Sequence, residues 1–307
     1  MIEQDLESQL PDLQSKLLEN NELEVGKEGL SSPQSDNSKQ KRVMLILKIC
    51  QIVRHVLAAA VWIGTSIFAL NVIFQYIVSA CVNRWGMWNR YIPLYNKQNK
   101  NQGASTVFMM IHFIGVAIIL LIGNIQMVKH VRKNYISLHR WCGRIYISCA
   151  FLTGLAGSIF VIVHGTVGGA NGNIAFFIYG VIVMIFSSLT FYHIKFRKDI
   201  DAHKRWATRT YAVLLGSWLY RLTYGLRAMF TGEYSTSYNG AFSIIMDYGF
   251  YIVPIIVTEA YLRSERPQTI LMSTFLAIIL IFALLLVTLS TTFMIVKVWI
   301  PEMTNNY

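Results

Sequence analysis

The sequence contains few charged residues for its length. They make up 14% of the 307 residues, whereas hydrophobic residues make up 54%. A soluble domain contains about 25% charged residues. Water-soluble folding cannot bury so large an apolar fraction, so the composition excludes an ordinary soluble domain and predicts a chain that folds in lipid.

Cysteine is also scarce, and the four cysteines form no C-x-x-C motif; they are Cys50, Cys81, Cys142 and Cys149. Neither a disulfide framework nor a zinc knuckle is predicted. No histidine follows His203, so no zinc site is predicted on the last span and no metal ligand set is firm. The sequence also lacks a phosphate loop and a nucleophile–base pair. A soluble-type enzyme is therefore disfavoured, and whether the chain is an enzyme stays open.

The charge divides the chain into two parts. Residues 1–40 contain nine acids and three bases, and they are rich in Ser, Gln and Asn. This composition predicts a disordered acidic tail. No basic start with an apolar stretch precedes the first span, which is expected to act as an uncleaved anchor. The bases after residue 40 flank apolar stretches, which indicates anionic lipid headgroups rather than nucleic acid as partners.

Seven apolar stretches are long enough to cross the ~30 Å hydrocarbon core as helices, which takes about 20 residues each. They are approximately 56–80, 105–128, 141–164, 173–194, 207–228, 240–262 and 270–297. We expect a membrane domain over 41–268, then the last span and a short outer tail over 269–307. Most bases fall on the side of the N-terminus, so a cytoplasmic N-terminus is favoured. The membrane concerned is not indicated.

Two short segments of the sequence resemble each other. Both contain R-W-x-x-R-x-Y, and a histidine precedes each motif. We call these segments the two boxes; their residues are His139, Arg140, Trp141, Arg144 and Tyr146, and His203, Arg205, Trp206, Arg209 and Tyr211. We predict repeated helical hairpins over 105–164 and 173–228 that form a duplicated four-helix core. Their bases and aromatic residues suit headgroup contact, and the repeated spacing also fits a bound ligand.

Polar residues within the spans predict a second kind of site. Arg221 and Asp247 fall at similar depth on adjacent spans, and an intramembrane charge is a functional-site hypothesis that requires a partner. We therefore pair these two residues. The pair fixes helix packing or belongs to a polar pocket with His112, Tyr220 and Tyr224.

Histidines at both ends of the predicted bundle also fit haem b, which helix bundles hold between facing imidazoles. The candidate ligands are His139 with His203, and His112 with His164. Interfacial histidines in contact with water or headgroups explain the same pattern, and haem therefore remains an alternative.

Several runs together resemble a known family of multi-pass membrane proteins. They are I-H-F-I-G at 111–115, G-N-I-Q at 123–126, L-H-R-W-C-G-R-I-Y at 138–146 and A-H-K-R-W-A-T-R-T-Y-A at 202–212. In order and spacing they resemble domain-of-unknown-function family 2306. The resemblance implies that the signature comprises His112, His139, Arg144, His203, Trp206, Arg209 and Arg221. Ala207 departs from the expected Met, and no activity is implied.

The sequence thus predicts an all-α polytopic membrane protein of about seven spans. The favoured function is binding or transport of a small molecule at a polar site formed by His112, Arg221, Asp247 and Tyr224. Haem-based electron transfer is the first alternative. A structural or lipid-organising role is the second.

Overall fold

The computed structural model describes residues 33–89, 102–232, 240–263 and 270–304. Within these ranges the chain forms helices and connecting turns and no strand, so the predicted all-α fold is confirmed. Most of the predicted acidic tail, residues 1–32, lies outside the described residues. Its final residues, from Pro33 onward, belong to the first helix, which therefore begins before the predicted end of the tail at residue 40.

Eight principal helices are labelled in chain order. They are α1 (Pro33–Val72), α2 (Gln102–Met127), α3 (Ile136–His164), α4 (Gly169–Tyr192), α5 (Ile200–Leu214), α6 (Gly216–Thr231), α7 (Ala241–Arg263) and α8 (Ile270–Met294). Helices α1, α4 and α8 continue into π-helical turns over Ile73–Val78, His193–Arg197 and Ile295–Trp299, respectively.

Six helical stretches of the described residues are long and apolar enough to cross a membrane. They are Met44–Cys81, Gly103–Met127, Ile136–His164, Gly169–Arg197, Ala241–Ala260 and Ala277–Trp299. The predicted fifth span, 207–228, is instead divided between α5 and α6, which meet at Leu215. Leu215 keeps a right-handed helical backbone (φ −66°, ψ −18°), so the interruption is confined to one residue.

The chain forms two compact units. The smaller unit comprises Met1–Ala58 and Arg263–Leu285, and its described part contains the first half of α1 and the first half of α8. The larger unit comprises Ala59–Leu262 and Leu286–Tyr307. All residues of the candidate site described below belong to this larger unit.

Successive helices pack against each other in the larger unit: α2 on α3, α3 on α4, and α4 on α5. Glycines permit a close contact of the backbones of α3 and α4. A Cβ atom at Gly154 would lie 2.8 Å from the Gly180 carbonyl oxygen, and one at Gly180 would lie 2.9 Å from the Gly154 carbonyl oxygen. Small residues let helix backbones approach in membranes, where van der Waals packing drives helix association.

A second group of contacts holds the remaining helices of the larger unit together. The rings of Phe68 and Trp299 lie 5.2 Å apart, and both side chains are buried. The Ser290 hydroxyl donates to the Leu222 carbonyl, and a Cβ at Gly225 would lie 2.6 Å from the Met294 sulfur. The second half of α8 is therefore packed against α6.

The two connections between the predicted hairpin partners have different structures. The first is a short helix, Lys129–Asn134. The second passes through the π-helical turn after α4 to Lys198, whose φ is +54°, and then to Asp199, whose side chain caps α5. The capping hydrogen bond from the Ala202 N–H lowers the pKa of the Asp199 carboxyl. The duplication predicted from the two boxes therefore stays a prediction.

The contact between α3 and α4 gives a testable prediction. We expect Gly154→Ala to destabilise the protein by about 1–3 kcal/mol, because the added methyl group meets a backbone carbonyl that cannot move alone. Gly249→Ala is the matched control, because a Cβ at Gly249 meets no atom within 4 Å. The measurement is the unfolding midpoint of each purified variant in the same detergent. Equal destabilisation by the two substitutions would contradict the close contact.

Candidate functional site

A cavity of about 420 Å³ lies inside the larger unit. It is lined by residues of α1 to α7 and by the chain that follows α8. The four predicted ligand-binding residues all line it; they are His112, Arg221, Tyr224 and Asp247. The fold thus brings polar residues from three helices, α2, α6 and α7, to one cavity. Their role in binding stays a prediction.

His112 is held in a defined orientation by α3. Its Nδ1 lies 3.0 Å from the Thr153 carbonyl oxygen. A carbonyl only accepts hydrogen bonds, so Nδ1 carries the proton and Nε2 is the ring's remaining hydrogen-bonding atom. The ring also packs on Gly157, where a Cβ would lie 2.9 Å from Nδ1. Helix α3 therefore leaves space for the imidazole only because residue 157 lacks a side chain.

Arg221 is half-buried, and its guanidinium lies over the ring of Phe68 with 4.9 Å between the guanidinium carbon and the ring centroid. Its Nη1 donates to the Ser217 carbonyl one turn earlier in α6, at 3.1 Å. One face of the guanidinium is thereby covered by an aromatic ring, a favourable cation–π arrangement. These two contacts fix the position of the charge at the cavity.

Asp247 is only 2% exposed, and its two oxygens have different partners. The Tyr220 hydroxyl donates to Oδ1 at 2.9 Å, and the Asn171 amide donates to Oδ2 at 3.3 Å. Gly168 and Gly172 lie against the carboxylate, since Cβ atoms there would be 3.4 and 3.7 Å from Oδ2. Hydrogen bonds to a buried carboxylate offset the cost of removing it from water.

The hydrogen bonds continue from Asp247 along α6. The hydroxyls of Tyr220 and Tyr224 lie 3.3 Å apart, and the Tyr224 hydroxyl lies 3.0 Å from the Ser243 hydroxyl. Residues of α6 and α7 are therefore joined by a chain of hydroxyl groups that ends on the carboxylate.

The predicted pairing of Arg221 with Asp247 is not formed. Both residues line the cavity, but no ion pair joins them, because Asp247 is bonded to Tyr220 and Asn171 while Arg221 lies over Phe68. Neighbouring residues of a helix project about 100° apart. The side chain that reaches Asp247 is therefore Tyr220, and its neighbour Arg221 projects elsewhere.

The loop between α3 and α4 closes one end of the cavity. Gly165 ends α3 with a φ of +81°, a conformation that favours glycine. The next residue, Thr166, is held by Asn173, whose Oδ1 accepts from the Thr166 backbone N–H at 2.6 Å and from its hydroxyl at 2.9 Å. Residues 165–168 all line the cavity, so this loop forms part of its wall.

The two boxes share one contact and differ in another. Arg144 lies over Trp141 at 4.8 Å, and Arg209 lies over Trp206 at 4.6 Å. Arg209 also forms a forked ion pair with Glu259 on α7, with 3.2 Å between Nη2 and Oε2.

The box tyrosines lie beside the large cavity. Tyr146 and Tyr211 both line a small cavity beside it, which shares Ile119, Leu120 and Leu214 with the large one. The Tyr211 hydroxyl donates to Oδ1 of Asn124 at 2.8 Å, and the Asn124 amide donates to the Thr65 hydroxyl at 2.9 Å. This chain of hydrogen bonds links α5, α2 and α1.

Of the four candidate haem ligands, two line the large cavity and two do not. His112 and His164 both line the large cavity, where the His164 ring stacks on Phe160 at 4.7 Å. His203 lies with Nδ1 3.0 Å from the Thr190 carbonyl oxygen. The Gln126 side-chain amide donates to Nδ1 of His139 at 3.0 Å when its oxygen accepts from the Gly143 N–H. Among the described residues, no three His, Cys, Asp or Glu side chains are grouped as a metal site would require.

Several residues of the site were missed from the sequence. Phe68, Asn171 and Asn124 contact charged or polar groups of the site. Phe68 and Asn171 belong to no motif, and Asn124 was noted only as part of the G-N-I-Q run. A buried amide within an apolar span was the available signal for Asn124, because such a group requires a partner. No comparable signal marked Phe68.

The Asn124 contact predicts a specific loss of stability. Tyr211→Phe removes the donor and leaves the buried Asn124 oxygen unpaired, so we expect a destabilisation of about 1–3 kcal/mol. Tyr192→Phe is the control, because Tyr192 is 44% exposed. Thermal unfolding of both variants in detergent provides the comparison. Equal midpoints for wild type and Tyr211→Phe would show that the hydrogen bond contributes nothing.

Comparison with known proteins agrees with this fold. Searches of the curated proteins and of the solved structures found no significant match. A family described as "Predicted membrane protein (DUF2306)" matches residues 109–262, about half of the chain. The matched region runs from α2 to α7 and contains the four predicted ligand-binding residues. The chain is thus an integral membrane protein, and it belongs to the DUF2306 family.

Proposed function

We propose that the protein binds or transports a small molecule in the cavity of its helix bundle. The observation that carries this proposal is the convergence of His112, Arg221 and Asp247, from α2, α6 and α7, on one cavity of about 420 Å³. Small-molecule sites are concave, mostly apolar and typically ~300–1,000 Å³ in volume, with a few placed polar groups. The composition and size of this cavity fit that description.

The free-energy cost of placing ionisable side chains within a membrane-spanning bundle supports the same proposal. An ionisable side chain within a membrane-spanning bundle is expensive, and such residues commonly mark substrate pathways. Arg221 and Asp247 are two ionisable residues among the helices of this bundle. Their placement at the wall of a cavity favours a binding role over packing alone.

Orientation and lipid contacts belong to the same proposal. By the positive-inside rule, the bases near both boxes favour a cytoplasmic location for that end of the bundle, and a cytoplasmic N-terminus stays the favoured orientation. Arg144 is exposed beside Trp141 and is available for an anionic headgroup. Arg209, by contrast, is engaged by Glu259, so the two boxes would contribute unequally to lipid binding.

Blocking the cavity tests the function directly. Val116→Trp places a large side chain at a lining position, and we expect it to weaken the binding of any cavity ligand by about tenfold or more, equivalent to about 1.4 kcal/mol. The ligands are found by screening a compound library for compounds that raise the unfolding temperature of the purified protein.

The matched control is Val107→Trp, on the same helix, since Val107 is 57% exposed and does not line the cavity. It should fold and respond to the same compounds as wild type. If no compound stabilises wild type, or if Val116→Trp is folded and responds fully, the cavity is not a binding site.

Haem remains the second candidate, because His112 and His164 line the same cavity. Bis-histidine haem would give the purified protein a Soret band that shifts on reduction with dithionite. We expect His112→Ala to abolish that band and His55→Ala to retain it, because His55 is exposed and lies in the smaller unit. A wild-type protein without visible absorbance would exclude this candidate.

A further inference from the structure

The guanidinium of Arg221 pairs with no carboxylate among the described residues. A guanidinium has five N–H donors. Within residues 33–89, 102–232, 240–263 and 270–304, its one hydrogen-bond acceptor is the Ser217 carbonyl, and no carboxylate lies within 4.0 Å of it. The contact with Phe68 covers a face of the group and does not satisfy its edge. Donors therefore remain for a further acceptor.

The nearby carboxylates are already engaged. Asp247 accepts from Tyr220 and Asn171 and is almost fully buried. Glu259 forms its forked pair with Arg209. Neither carboxylate contacts Arg221, so its guanidinium lines the cavity without a paired carboxylate.

The charge of Arg221 determines which class of ligand this cavity binds most tightly. An anion would pair with Arg221, and a planar carboxylate matches the fork of N–H donors. A cation would be repelled by Arg221, and the oxygens of Asp247 already accept from other side chains. A neutral ligand would leave the remaining N–H donors of Arg221 without an anionic partner.

The side chains of the cavity walls determine which kind of body the ligand has beyond its charged group. Nine of the lining side chains are aromatic, among them Tyr76, Phe113, Phe160, Tyr179 and Phe250. The rings of Tyr76 and Phe113 are stacked, with centroids 4.0 Å apart and an interplanar angle of 17°. Such walls favour an apolar body that contacts ring faces.

From these observations we infer that the cavity takes an amphiphilic carboxylate, whose anionic group pairs with Arg221 and whose apolar body lies against the aromatic walls. The inference rests on the proposed binding function and names the substrate class. A membrane-derived fatty acid and a water-soluble aromatic acid share this chemistry. His112, which also lines the cavity, supplies a second polar group near the positive charge of Arg221.

The test compares probes that differ in charge. Naphthoate, naphthylmethylamine and naphthylmethanol share one apolar body, and dodecanoate represents the lipid source. Calorimetric titration of the full-length protein in detergent gives a dissociation constant for each. We expect a carboxylate to bind more tightly than the amine and the alcohol; tighter binding of naphthoate indicates an aromatic acid, and tighter binding of dodecanoate indicates a fatty acid.

Variants test whether Arg221 causes the preference for carboxylates. Arg221→Gln should weaken carboxylate binding about tenfold to a hundredfold, the usual effect of losing a charge-assisted hydrogen bond. Arg227→Gln is the matched control: Arg227 also lies in α6 over an aromatic ring, Phe242, at 4.9 Å, and it does not line the cavity. It should bind carboxylates as wild type does.

A further variant covers the case in which Arg221→Gln fails to fold. Arg221→Lys keeps the charge and loses the fork, so it should bind carboxylates more weakly while still preferring them to the amine. Reversal of that order would overturn the inference.

The remaining outcomes separate the inference from the proposed function. If the amine or the alcohol binds wild type more tightly than both carboxylates, the substrate class is wrong while a binding site is supported. Failure of all four probes also overturns the inference, and the library screen with Val116→Trp then decides the binding function independently.

Discussion

Lipid offers no hydrogen-bond partner, so each polar group inside a membrane-spanning bundle must find its partner within the protein. The arrangement of the larger unit follows from this constraint. Asn124 joins three helices because its amide and its carbonyl oxygen need different partners, Thr65 and Tyr211. Asp247 likewise joins α7 to α4 and α6. The polar contacts thereby specify which helix faces meet, while glycine contacts such as that of Gly154 determine how closely they approach.

The same constraint distinguishes structural from functional polar groups. Glu259 and Arg209 satisfy each other, and Asp247 is satisfied by neutral donors. Arg221 has a stacked ring and a single carbonyl. A group with donors left over among the described residues at a cavity wall indicates a site better than burial or charge alone, because a ligand can accept from those donors.

The sequence predicted the helical element type well and the pairing of polar side chains poorly. Hydropathy and the cost of intramembrane charge were sufficient to select His112, Arg221 and Asp247, which line one cavity. Pairing depends on helix rotation, which sequence depth does not specify. For this reason Asp247 contacts Tyr220 rather than Arg221. The interruption at Leu215 had no proline to mark it, whereas Pro254 lies inside α7 without ending it.

The fixed position of Arg221 has an electrical consequence. A charge held by Phe68 and Ser217 does not move through the transmembrane potential, so voltage acts only on the mobile ion that pairs with it. Moving one elementary charge across 100 mV changes its free energy by about 2.3 kcal/mol, which is roughly fiftyfold in an equilibrium. Passage of a monoanion through this cavity would therefore be electrogenic, and its preferred direction would follow the sign of the membrane potential.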